Sequence, residues 1–125
     1  MIKTFLLIGT GGFLGSIGRY LVQQLVFRRF PSSFPFGTLL VNITACFLIG
    51  LVYGLSEKGN LLSPEWRLFL ATGICGGYST FSSFAYENVA LLGDGEILYT
   101  FLYTAVSILI GFLAVYGGIV LVKSY

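Results

Sequence analysis

The chain has 125 residues, 56% of them hydrophobic and only 10% charged, with a net charge of +2 and a mean hydropathy of +0.90. That balance excludes an ordinary soluble domain and leaves no basic surface for nucleic acid. Histidine is absent and there are only two cysteines, Cys46 and Cys75, so neither a histidine metal site nor a disulfide framework is expected.

Four stretches, residues 2–26, 36–55, 66–91 and 97–122, come close to or exceed the ~20 residues that a spanning helix needs. They predict an all-α integral membrane protein: a single four-helix domain over residues 1–125, multi-pass, in the inner (plasma) membrane of the cell and in contact with lipid. The first stretch carries one early lysine and many glycines, with no small-x-small cleavage site before Arg19, so it is read as part of the mature protein and not as a signal peptide. Within it Gly9, Gly11, Gly12, Gly15, Ser16 and Gly18 place small residues three and four apart. Helix backbones approach closely at such a face, either within the subunit or between subunits. Arg19 follows near the end of the span, where it either snorkels to the headgroups or stands at the mouth of an anion path.

Residues 28–35, Arg-Arg-Phe-Pro-Ser-Ser-Phe-Pro, read as a connector set by two prolines. In the second span Thr38, Asn42 and Cys46 share a stripe at i, i+4 spacing. An Asn at membrane depth needs partners, and one interhelical hydrogen bond would be enough to explain it. Residues 56–64, with Gly59 and Asn60, read as a polar turn, and Ser63-Pro64-Glu65 as a helix start with Pro at the first position.

The third span holds Gly73-Ile-Cys-Gly-Gly-Tyr-Ser-Thr-Phe-Ser-Ser-Phe84. Glycine costs about 1 kcal/mol against alanine in a helix interior, and Ser and Thr offer the backbone competing hydrogen bonds. The third helix is therefore expected to break near its middle, between Gly76 and Thr80. Irregular backbone at membrane depth is tolerated only when buried in protein or lining a watery cavity, which makes the break a candidate ion site; a kink that only helps packing is the alternative. Beyond it, Ser83 stands beside Phe81 and Phe84, with Glu87 a turn further. In the fourth span Tyr99, Tyr103, Ser107 and Gly111 follow at four-residue intervals, which predicts a hydroxyl stripe down that helix.

With the N-terminus inside, Lys3, Lys58, Arg67 and Lys123 fall on the cytoplasmic side against Arg28, Arg29 and Arg19. So weak a bias suggests insertion in both orientations.

No catalytic constellation is present, so an enzyme is not expected. All five acids are assigned to span ends or loops, whereas proton-coupled carriers usually carry a carboxylate or histidine within the membrane. The interior is instead expected to offer uncharged donors from Thr38, Asn42, Ser79, Thr80, Ser83, Tyr103 and Ser107, together with aromatic edges. Such groups suit an anion, because an unhydrated one costs tens of kcal/mol unless donors replace its water.

Gly18-Arg19-Tyr20, Gly37-Thr38-Leu39 with Asn42, and the stretch from Gly73 to Phe84 followed by Glu87 closely resemble the CrcB/Fluc fluoride channels over essentially the whole chain. The family commonly has Thr-Thr-Phe-Ser-Thr-Phe where this chain has Ser79-Thr80-Phe81-Ser82-Ser83-Phe84; each changed position keeps a hydroxyl. The resemblance implies an antiparallel, dual-topology homodimer that lets toxic cytoplasmic fluoride leave the cell passively and holds a structural sodium ion at its centre. It further implies sodium ligation by the main-chain carbonyls of Gly76 and Ser79 of both subunits, an aromatic box of Phe81 and Phe84, and donation to fluoride from Asn42, with Ser83 near the pore. Tyr103 and Ser107 are placed on a polar track by their register, Thr38 joins them as a donor, and Arg19 and Glu87 are assigned to a vestibule.

Two other readings are a small multidrug-type proton-coupled antiporter, which normally needs a glutamate in its first helix where this chain has no acid before Glu57, and a noncatalytic assembly subunit of a larger membrane complex.

Overall fold

The computed structural model describes residues 1–59 and 61–124. Helix α1 spans Ile2–Arg29 and α2 spans Phe36–Glu57. The third span is assembled from pieces: α3 (Pro64–Arg67), a π-helical stretch over Leu68–Cys75, α4 (Gly76–Tyr78) and, after an extended pair of residues, α5 (Phe81–Gly93). Helix α6 covers Ile97–Lys123. Three helices, α1, α2 and α6, are each long and apolar enough to cross a bilayer.

The helix ends differ from the sequence expectation at the first and second connectors. Arg28 and Arg29, expected in the connector, form the last turn of α1, where cations meet the partial negative charge of the helix end. The polar turn expected over residues 56–64 is shortened by α2, which runs to Glu57; Asn60 lies outside the described residues. The start at Ser63 holds: Pro64 occupies the first turn, and Ser63 Oγ accepts the Trp66 N–H at 3.3 Å.

Close-packed glycines set the arrangement. Along α1, a Cβ on Gly11 would lie 2.6 Å from the Phe69 carbonyl oxygen, and one on Gly15 would collide with the Ile74 carbonyl. In return, a Cβ on Gly77 would lie 2.6 Å from the Gly12 carbonyl. Contacts advance together in both segments, so α1 lies parallel to the first half of the third span. Gly50 and Gly118 do the same for α2 and α6: a Cβ on Gly118 would stand 2.5 Å from the Phe47 carbonyl, and Gly50 presses on the Val115 carbonyl. Among the described residues, the α2–α6 pair and the packing of α1 on the third span are the two most extensive contacts. Lipid gives no hydrophobic drive between helices, so close backbone approach is what holds such pairs together. Gly9 and Ser16, counted with the small-residue face, are exposed and take no part.

The break itself is narrower than expected. Gly76 and Gly77 remain helical, and only Ser79 (φ −80, ψ 160) and Thr80 (φ −154, ψ 119) are extended. The reason is a division of labour that composition does not show. Gly73 and Gly77 serve packing against α1, while the hydroxyls interrupt the helix: Ser79 Oγ donates back to the Cys75 carbonyl at 2.7 Å, and Thr80 Oγ1 caps α5 by accepting the Ser83 N–H at 3.1 Å. The break also redirects the span. Its first half lies against α1, its second half against α6.

The core is small: Val41, Ala45, Val52, Ala71, Cys75, Leu91 and Tyr103 are its buried side chains of this kind, while Phe5, Phe13, Phe101 and Phe112 are among many large apolar groups left exposed. Both cysteines are free; Cys75 is buried in the core, whereas Cys46, also expected there, is half-buried.

Candidate functional site

Helix α2 passes the third span in the opposite direction and meets it at three polar points: Thr44 with Tyr78, Asn42 with Thr80, and Thr38 with Glu87. At the middle point Asn42 Oδ1 accepts the Thr80 N–H at 2.9 Å and Asn42 Nδ2 donates to the Thr80 carbonyl at 3.1 Å. An uninterrupted helix would send the Thr80 N–H to the Gly76 carbonyl and the Ser83 N–H to the Ser79 carbonyl. Here the first goes to Asn42 and the second to the Thr80 hydroxyl, so both carbonyls are deprived of their helical donors.

About 9 Å beyond the break, by helical rise, stands Glu87. Its Oε2 accepts from Thr38 Oγ1 at 2.8 Å and its Oε1 from Tyr103 OH at 2.9 Å, and Thr38 Oγ1 in turn accepts from Gln23 Nε2 at 3.1 Å. Thr38 and Tyr103 are buried to within 2% of full exclusion. Glu87 lies at the midpoint of α5, which begins afresh at Phe81, and six residues before the third span ends at Gly93. A carboxylate is tolerated there because two hydroxyls donate to it.

Gln23, Thr38 and Glu87 of this cluster line a cavity of about 520 Å³ between the end of α1, the α1–α2 connector and α5, together with Ser32, Ser83 and Asp94 among others. Phe34, which lines the cavity, meets the Tyr103 edge at 5.7 Å, and Phe84 packs on Tyr103 with centroids 4.9 Å apart. Phe81 lies 5.9 Å from Phe84 and is 79% exposed, so it faces out of the single chain beside the break. One turn beyond Tyr103 on α6, the Ser107 hydroxyl is buried without a hydrogen-bond partner among the described residues.

Of the residues singled out from sequence, Thr38, Ser83, Phe84, Glu87 and Tyr103 are brought together, and Ser107 extends them along α6. Asn42 is engaged with the Thr80 backbone. Phe81 adjoins Phe84 from the outer side. Gly76 and Ser79 sit at the break. Arg19, paired with Glu87 in the expected vestibule, is half-buried on α1 and does not line this cavity. Sequence reasoning passed over Gln23, although an amide six residues before the end of α1 was a visible signal. It also passed over Asn88, whose Oδ1 is buried and unpartnered among the described residues.

Residues 6–119 match the family model described as CrcB-like protein, Camphor Resistance (CrcB). The chain is 53% identical over 118 residues to a protein of Chlorobium phaeobacteroides strain BS1, covering 94% of this chain and 91% of that one. It is 43% identical over 122 residues to one of Flavobacterium psychrophilum, covering 98% of each. A relative from Gloeothece citriformis is 51% identical over 118 residues, 94% of this chain and 95% of its own. All three relatives bear the name fluoride-specific ion channel FluC. With the match covering nearly all of a multi-pass helical chain whose motifs lie at its break and its polar cluster, the protein belongs to the CrcB-like family.

Proposed function

We propose that the chain is a fluoride-selective channel, not an enzyme or a carrier, and that it lets cytoplasmic fluoride leave the cell passively across the plasma membrane. The observation that carries this reading is the file of buried donors that runs from the cavity through Thr38 and Tyr103 to Ser107, within a family whose relatives bear the fluoride-channel name. A dehydrated small anion needs a donor at each step, and these hydroxyls sit inside the helical bundle. Thr38 and Tyr103 now give their protons to Glu87. An arriving anion must compete with that carboxylate for the same donors, so Glu87 holds them oriented and yields them as the ion passes. The ring edges of Phe84 and Phe81 add positive electrostatic character beside the file.

The functional unit in this reading is an antiparallel homodimer. One chain leaves Phe81 and much apolar surface uncovered, and the near-balanced Lys and Arg count favours neither orientation. A two-fold axis at the break would set the carbonyls of Gly76 and Ser79 against their copies, four oxygens that would hold a sodium ion. Their chemistry fits, since hard oxygens without helical donors are what such a cation takes. The bound cation would supply attraction for a pore anion of about 1.7 kcal/mol, taking ~10 Å separation and an effective dielectric near 20, so its main part would be to satisfy the interface.

Fluoride efflux from liposomes reconstituted with the purified protein tests the reading. Efflux without a proton gradient, and unaltered by imposing one, is expected; flux that requires the gradient would favour the proton-coupled antiporter, and no flux would favour the assembly subunit. A C-terminal tag should report from both sides of the membrane, and a single side would exclude dual topology.

A further inference from the structure

Thr38 directs its proton differently from Thr44 and Thr100. Those two donate back to their own helices, to the carbonyls of Leu40 at 2.8 Å and Glu96 at 3.1 Å, although Thr44 also meets Tyr78 OH at 2.9 Å. That is the ordinary local option for a helical Thr. Thr38 instead donates across to Glu87, and its oxygen is engaged from the other side by Gln23.

A threonine hydroxyl has one proton and two lone pairs. With one lone pair taken by the Gln23 N–H, the proton is directed away from Gln23 and towards Glu87. The backbone is arranged for this contact: a Cβ on Gly37 would approach Gln23 Cα to 3.2 Å, so the glycine lets α2 lie close enough to α1 for the amide to reach Thr38. Gln23 also lines the cavity, at the entrance to the donor file.

We propose that Gln23 is a positioning residue of the anion path, which commits the Thr38 proton to the Glu87 side and thereby to the passing ion. This rests on the fluoride-channel reading. Gln23 acts through Thr38, so its contribution disappears when Thr38 has no hydroxyl.

A double-mutant cycle on flux tests it. Gln23→Leu, with Gln23→Met as a second variant should the branched side chain fail to fold, is compared with Thr38→Val and with the double variant in reconstituted liposomes. The Gln23 variants are expected to slow fluoride efflux about three- to tenfold, the effect of one lost hydrogen bond. On the Thr38→Val background the same change is expected to leave the rate within about twofold. A packing role would instead multiply the two losses, and that outcome overturns the proposal, as would a Gln23 variant that conducts like the wild type. A wild type that conducts no fluoride would overturn the channel reading and this proposal together, so the two failures are distinct.

Discussion

Asn42 grips the backbone of Thr80 from both sides, taking its N–H at 2.9 Å and giving a hydrogen to its carbonyl at 3.1 Å. A side-chain amide thus stands in for the two helical neighbours that Thr80 lacks. The break survives at membrane depth because these groups are satisfied. The same contact removes the donor that the Gly76 carbonyl would otherwise have received, so one residue both stabilises the interruption and exposes an oxygen.

Replacing Asn42 by Ala should destabilise the folded protein by about 1–3 kcal/mol, since two backbone groups lose their partners without solvent access. Asn42→Asp keeps the acceptor and loses the donor, and is expected to fall between. Unfolding midpoints in detergent measure both, and an unchanged midpoint for Asn42→Ala would show that the clamp does not hold the break.

Phe81 and Phe84 should separate in their effects. Both Phe81→Ile and Phe84→Ile are expected to suppress fluoride flux while the dimer stays assembled, because an aliphatic group offers no electropositive edge. Only Phe84→Ile should also lower stability, by about 1 kcal/mol, since that ring packs on Tyr103 whereas Phe81 is exposed in the single chain. Liposome flux and size-exclusion profiles of each variant decide the matter; normal flux in both would reduce the rings to packing.

Among the glycines, Gly15→Ala and Gly50→Ala should each cost about 1–3 kcal/mol or more, because the new methyl would run into a carbonyl of the facing helix. Gly9→Ala meets nothing within 4 Å and should gain up to about 1 kcal/mol of helix propensity. Equal midpoints for the three variants would contradict the packing.

If sodium binds as proposed, Ser79→Ala should retain it, because the ligand would be a main-chain oxygen. Gly76→Ala is a sharper probe. In the single chain the added Cβ would lie an ordinary 3.7 Å from the Ala71 carbonyl, so no different backbone is forced. Loss of sodium or of the dimer in Gly76→Ala would therefore come from a clash with the second copy. Tracer sodium retention and dimer content should fall together in that variant. Sodium moving along with fluoride, or full flux after rigorous sodium removal, would refute a structural ion.

Much of the molecule was fixed by local chemistry and was legible in the chain alone. Apolar run lengths anticipated the three long helices α1, α2 and α6, the Ser63-Pro64-Glu65 start behaved as its capping chemistry requires, and the hydroxyl run located an interruption in the third span. Thr38, Tyr103 and Ser107 were recognisable as interior polar groups because each stands in helical register among apolar residues. What only tertiary structure decided is how those pieces share partners. Local propensity cannot tell a glycine that breaks a helix from one that lets another helix approach, and here Gly73 and Gly77 proved to be the second kind. Nor can position along a span tell what Glu87 meets: the break starts α5 afresh, α2 passes it antiparallel and α6 turns back beside it, so that Thr38 and Tyr103, 65 positions apart in the chain, deliver their protons to one carboxylate. Hydrogen bonds between distant residues depend on helix direction and register, and those are set by backbone contacts at glycines that carry no chemical signal of their own.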